Sequence, residues 1–254
     1  MNYTLSQADT TLILGHRNSE WCGHGPVLEQ DIAITNISLD LIGQARNFYQ
    51  YAAELINHTG GLTKMGSVAT EDTLAYLRDA SEFRNCILVE LPKGDWAHTI
   101  LRQFFFSAYQ FFLYKKLELG CDEQLAAIAT KSLKEVVYHL RWSSEWVIRL
   151  GDGTDESHSR MVDAAQGLWS YTDELFIPSI EEAWASEQGI ASDVSTLKDE
   201  WLVKVKEIFA DAHLEIPGNT KVQAGGKEGS HTEHLESILS EMQHMQRTYP
   251  GCEW

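Results

Sequence analysis

The chain has 254 residues, 37 of them acidic and 20 basic, for a formal net charge of −17. That length holds one large domain or two small ones, and burying roughly 70–75% of the unfolded surface supplies a core without metals or disulfides. The acidic balance excludes a nucleic-acid or anionic-membrane binder, since neutralising phosphate takes clustered Lys and Arg. A hydrophobic fraction of 43% with eight Trp excludes a disordered chain.

The first segment at helical spacing runs over residues 4–22, before the turn signal Gly23-His24-Gly25-Pro26. The second runs from Val27 to Asn57, with Ile37, Leu41, Phe48, Tyr51 and Leu55 on one stripe. Gly60 to Thr70 reads as a loop, and 71–90 as short helical pieces. After Pro92 and Gly94, Asp95 caps a helix expected to reach Leu119, where Gly120 stops it. Asp122 caps the next, which ends near Leu150. Thr154 opens another, predicted to reach Phe176 before Pro178 and to continue beyond it; Asp155 and Glu156 lie in its first turn, where the helix dipole favours them. Further helices are predicted over 195–213 and 231–248. The stretch 216–230 reads as an exposed, turn-rich loop. A period-two pattern is almost lacking, so the expected fold is all-α, an antiparallel helical bundle forming a single domain over 1–254.

The cysteines Cys22, Cys86, Cys121 and Cys252 form no CxxC pair and read as reduced thiols. No basic segment with an apolar core opens the chain, and the most apolar stretch, 104–114, falls short of the roughly 20 residues of a spanning helix. Both point to a cytoplasmic protein.

Each core stripe carries a polar or small residue near its middle: Glu20 on the first helix, Gln44 on the second, Ser107 on the third long one, and Ser132, His139 and Ser143 on the fourth. Polar groups meeting in a bundle core are where di-iron sites are built, from one Glu on each of two helices and Glu-x-x-His on two others. The chain does not match that template. Glu135 and His139 are four apart and point off one another. Asp95/His98 and Asp155/His158 lie at helix starts, where Asp caps, and Glu241/His244 reads as a solvated pair. His231 and His234 have a spacing that suits zinc, but Ser230 and Glu233 give the same residues a capping-box reading, which is preferred.

Several segments are familiar together: Glu20-Trp21-Cys22-Gly23-His24; Leu39-Asp40-Leu41-Ile42-Gly43-Gln44-Ala45-Arg46; Arg84-Asn85-Cys86 with Val89-Glu90 and Pro92; Lys134-Glu135 with Tyr138-His139-Leu140-Arg141; Leu150-Gly151-Asp152-Gly153-Thr154; and Gly225-Gly226-Lys227 with His231-Thr232-Glu233-His234-Leu235. Over nearly its whole length the chain resembles the family of non-catalytic structural subunits of bacterial phenylacetyl-CoA epoxidase, a multicomponent monooxygenase of phenylacetate degradation. The resemblance implies a ferritin-like fold and no cofactor in this chain. It also implies a homologous catalytic partner carrying the di-iron centre, a small accessory subunit and an iron–sulfur flavin reductase. Set against the catalytic paralogue, Glu20 and His139 keep ligand positions, whereas Leu41, Gln44, Ser107 and Val136 stand where ligands would be.

The resulting reading is a non-catalytic scaffold subunit that pairs with the di-iron subunit and can form a homodimer when isolated. Its rivals are a helical-bundle oxidase or oxygenase with its own di-metal centre, and a free-standing helical protein. The loop 221–229, with Lys227 between glycines and His231 and His234 beyond it, is a candidate partner contact.

Overall fold

The computed structural model describes residues 1–60, 68–218, 221–250 and 252, and among them the fold is all-α with no strand. In chain order the helices are α1 (Asn2–Ser19), α2 (Leu28–His58), α3 (Glu71–Tyr76), α4 (Ile87–Glu90), α5 (Trp96–Leu117), α6 (Glu123–Gly151), α7 (Asp155–Trp169), α8 (Ile180–Glu187), α9 (Lys198–Asp211), α10 (Glu233–Met242) and α11 (His244–Thr248). Two compact units divide them: Met1–Pro92 with Gly225–Trp254, and Lys93–Ala224.

The first unit is organised by the antiparallel pair α1 and α2, with Asp9 opposite Tyr49 and Gly15 opposite Leu41 and Ile42. A Cβ on Gly15 would stand 3.0 Å from Ile42 and 3.2 Å from the Ser38 carbonyl, so a glycine lets the two backbones approach. The turn between the helices is tied down by Asp31, whose carboxylate accepts the Gly23 and Gly25 N–H groups at 3.1 and 2.9 Å. Those N–H groups hold the Asp31 carboxyl below its usual range. The second unit is organised by α5 and α6, joined by a short connection and capped as expected: Asp95 accepts from the His98 N–H and Asp122 from the Leu125 N–H. Two long helical hairpins are the material of a ferritin-like bundle, and each lies within its own unit.

Several boundaries differ from expectation for identifiable reasons. α1 stops at Ser19, making Glu20 its C-cap. α5 ends at Leu117 rather than Leu119. The helix opened by Thr154 ends at Trp169, not Phe176, because the Ser170 carbonyl accepts the Gln223 N–H and the chain then tightens into a 3-10 turn over Asp173–Phe176. Beyond Pro178 a separate helix, α8, starts under its own Ser179–Glu182 capping box. The segment predicted over 231–248 is broken at Gln243, whose amide donates to the Ala75 and Arg78 carbonyls. Its N-cap is Thr232, not Ser230: the Ser230 N–H closes a tight turn on the Gly225 carbonyl, which leaves Thr232 to accept from the His234 N–H. The loop is also not exposed throughout. Residues 221–224 are, but Gly226 is buried and opens a 3-10 turn over Gly226–Glu228, while residues 219 and 220 lie outside the described ones. Most of the predicted 60–70 loop, residues 61–67, lies outside them too.

Candidate functional site

In the first unit, Leu41 and Gln44 sit one turn apart on α2, both buried. Glu20 differs from them: its side chain is 33% exposed and its carboxylate accepts from Arg17 at 2.5 Å. In the second unit, Ser107, Val136 and His139 are all fully buried. Ser107 accepts a hydrogen bond from the Gln103 amide one turn earlier on α5, at 2.8 Å. Val136 and His139 share a face of α6 by their three-residue spacing. Only Leu41 with Gln44 on α2 and Val136 with His139 on α6 share a helix face.

By residue type the six positions amount to one carboxylate already held by a guanidinium, one imidazole, one amide and one hydroxyl. A pair of ferrous ions calls for about four anionic oxygen ligands and two imidazoles. The donor set does not fit that group. Glu135 is only partly buried on α6, and the Asp95/His98 and Asp155/His158 pairs are engaged locally: His98 with its capping Asp95 at 2.8 Å, and His158 with the Gly151 carbonyl at 2.7 Å.

The histidines of the C-terminal segment are held inside the first unit. Glu90, fully buried at the end of α4, accepts from the Asn85 amide at 2.8 Å, from the Thr232 N–H at 2.7 Å and from His231 Nδ1 at 2.8 Å. The other His231 nitrogen faces the Phe83 carbonyl at 3.0 Å. Two acceptors on one ring call for a proton on both nitrogens, an imidazolium opposite a carboxylate. Burial alone would lower the His231 pKa, but the Glu90 carboxylate and the Phe83 carbonyl hold it above the ordinary value. Arg17 crosses the same place, donating to the Glu90 carbonyl and to the His234 carbonyl, and so ties α1 to both α4 and α10. The glycines shape the fit: a Cβ on Gly226 would run into the Asn85 carbonyl, and Gly229 has φ +83° with Ser81 and Arg84 beside it. Lys227, the candidate contact residue, stands within this turn.

A second buried cluster lies nearby. Asp9, with no exposed surface, takes the Arg78 guanidinium, the Tyr49 hydroxyl at 2.6 Å and the Arg84 N–H at 2.9 Å. Arg78 stacks on Phe83 at 4.3 Å. Burial and the Asp9 charge push the Tyr49 pKa well up. Sequence reasoning missed both clusters. Their one visible signal was an acid close to or inside an apolar run: Asp9 ahead of Leu12-Ile13-Leu14, and Glu90 within Ile87-Leu88-Val89-Glu90-Leu91.

Comparison with known proteins decides the relationship. The family profile described as phenylacetic acid catabolic protein matches residues 1–254. The chain belongs to that family. Within it, the chain is 46% identical over 252 residues to the C subunit of 1,2-phenylacetyl-CoA epoxidase from Escherichia coli (strain K12), covering 99% of this chain and 98% of that protein. The buried Glu90 and the Gly225–Leu235 segment, which resembled the family in sequence, form one hydrogen-bonded contact here. Among the described residues no helix is long and apolar enough to cross a membrane.

Proposed function

We propose that this member of the phenylacetic acid catabolic family is a structural, non-catalytic subunit of a phenylacetyl-CoA epoxidase. It pairs with a homologous subunit that carries the di-iron centre, and works in the cytoplasm with the small accessory subunit and the reductase of that system. The name of the Escherichia coli relative supports the assignment to the complex. The observation that carries the non-catalytic part is the donor set: Leu41, Gln44, Ser107, Val136 and His139 are buried with no carboxylate among them, and the one carboxylate, Glu20, is engaged by Arg17. Neither unit's members supply the anionic oxygens that would balance a ferrous pair in a low-dielectric interior.

The role left to the chain is to cover and hold its partner. Permanent pairs of this kind bury more than about 2,000 Å² in total. The test is reconstitution: the purified di-iron subunit and reductase are assayed for epoxidation with and without this chain. Activity that requires the chain, restored by adding it free of iron, is the expected result. Full turnover in its absence contradicts the scaffold role. The isolated chain is then free to form a homodimer through the vacated surface, which sedimentation detects.

A further inference from the structure

One face of α6 departs from the rest of this acidic chain. Lys131, Lys134, Tyr138, Arg141, Glu145 and Arg149 follow at steps of three and four residues, so they form a single stripe along the helix. All except Tyr138 are well exposed; Tyr138 is 37% exposed and Val137 beside it 50%. The stripe carries four cations and one anion, with the half-buried Glu135 at its edge, in a chain with 37 acids and 20 bases. Glu145 is 3.9 Å from Arg149. Among the described residues no carboxylate pairs with Lys131, Lys134 or Arg141.

Four other cations of the second unit, by contrast, do have acidic partners. Arg160 pairs with Glu156 and Asp95, Lys198 with Asp173, Lys204 with Glu207, and Lys116 lies 4.0 Å from Glu200. With so many acids available, a run of unpaired cations is a consequence of where the acids are not. The Arg141 guanidinium lies over the Tyr138 ring, 5.9 Å from its centre, which orders both side chains ahead of any contact. An exposed aromatic and a valine ringed by long cations have the composition of an interface, where Tyr and Arg supply the anchors and charges at the rim select the partner. The opposite face of the helix is already used: Val136, His139, Leu140 and Ser143 are buried.

We propose that the Lys131–Arg141 stripe of α6 is a docking ridge for the acidic face of another subunit of the assembly. That face carries carboxylates spaced to meet cations over about 15 Å of helix, with an apolar seat for Tyr138 and Val137. A second copy of this chain is a poor occupant of the ridge in a two-fold contact, since it would set the same cationic stripe against itself. The inference rests on the reading of the chain as a subunit of the epoxidase.

The test uses the chain co-expressed with the other epoxidase subunits. In the wild-type complex, a zero-length carbodiimide reagent should tie Lys131 or Lys134 to an Asp or Glu of another subunit, read by mass spectrometry. The triple variant Lys131→Glu, Lys134→Glu, Arg141→Glu should bind about tenfold or more weakly. The control triple Lys116→Glu, Lys198→Glu, Lys204→Glu should stay within about threefold. Wild-type affinity should fall between about 0.05 and 0.5 M salt. Unaltered binding of the stripe variant, or cross-links from these lysines to a second copy of this chain alone, overturns the docking ridge while the subunit reading stands. A wild-type chain that associates with no other subunit overturns the subunit reading and the ridge with it. The cross-link decides the matter even if the stripe variant folds poorly.

Discussion

The first unit is fastened by buried charge and the second by packed aromatic rings. In the first, Glu90 with His231, and Asp9 with Arg78, are ion pairs out of water, each surrounded by further donors. In the second, Phe105 touches the rings of Trp169, Trp201 and Phe209, and the Trp201 indole N–H donates to the Phe105 carbonyl at 2.9 Å. The difference follows from chain order. In the second unit, α5 and its partners follow one another along the chain, and an apolar surface with little directionality suffices to bring them together. The first unit has to recruit residues 225–250 from the far end of the sequence to a fixed register against 81–90. Buried charged groups are suited to that because only the correct register satisfies them, although they add less net stability than apolar burial.

The comparison breaks first where the removed group is largest. Trp201→Ala should cost about 3–5 kcal/mol by leaving a cavity among rings. Chemical denaturation should show that loss nearly unchanged between acid and neutral pH. Glu90→Gln should cost about 2–4 kcal/mol, since the new amide nitrogen meets donors where a carboxylate accepted them. Hydrogen exchange should localise this loss to the 225–232 segment and leave α5 and α6 protected. Gly226→Ala should cost about 1–3 kcal/mol by pushing a methyl against the Asn85 carbonyl, with the same local signature.

The smallest expected effect is on pH, and it sharpens the contrast most. The folded His231 pKa lies above its ordinary value of 6.5. Its contribution to stability is therefore fully present below about 6.5 and is lost as pH rises through the folded pKa. Exchange of residues 225–232 should accelerate over that window, and His231→Gln should abolish the dependence. The Trp201 region should show no such window.

The same contrast explains what the sequence disclosed. Amphipathic periodicity and side-chain caps are local, so α2, α5 and α6 and the caps Asp95, Asp122 and Thr154 were legible to within a residue or two. The end of α7 was not, because the hydrogen bond that diverts it comes from Gln223, far along the chain. The Thr232 cap was hidden for a like reason: the glycine turn that occupies Ser230 exists to fit Asn85 and Ser81. Of the candidate site, the positions Leu41, Gln44, Ser107 and Val136 came from the likeness to the catalytic paralogue, and the structure adds that all four side chains are buried. That Glu20 is engaged by Arg17, and that His231 serves Glu90, depends on packing in the folded chain and could not be read there.

The central claim is that the chain lacks a di-iron centre of its own and serves a partner that has one. The most direct measurement is metal analysis of this chain, expressed alone in iron-supplemented medium and purified without chelators, beside the di-iron subunit treated identically. The account predicts no stoichiometric iron in this chain and stoichiometric iron in the partner. Stoichiometric iron bound to this chain, lost on His139→Ala, would contradict it.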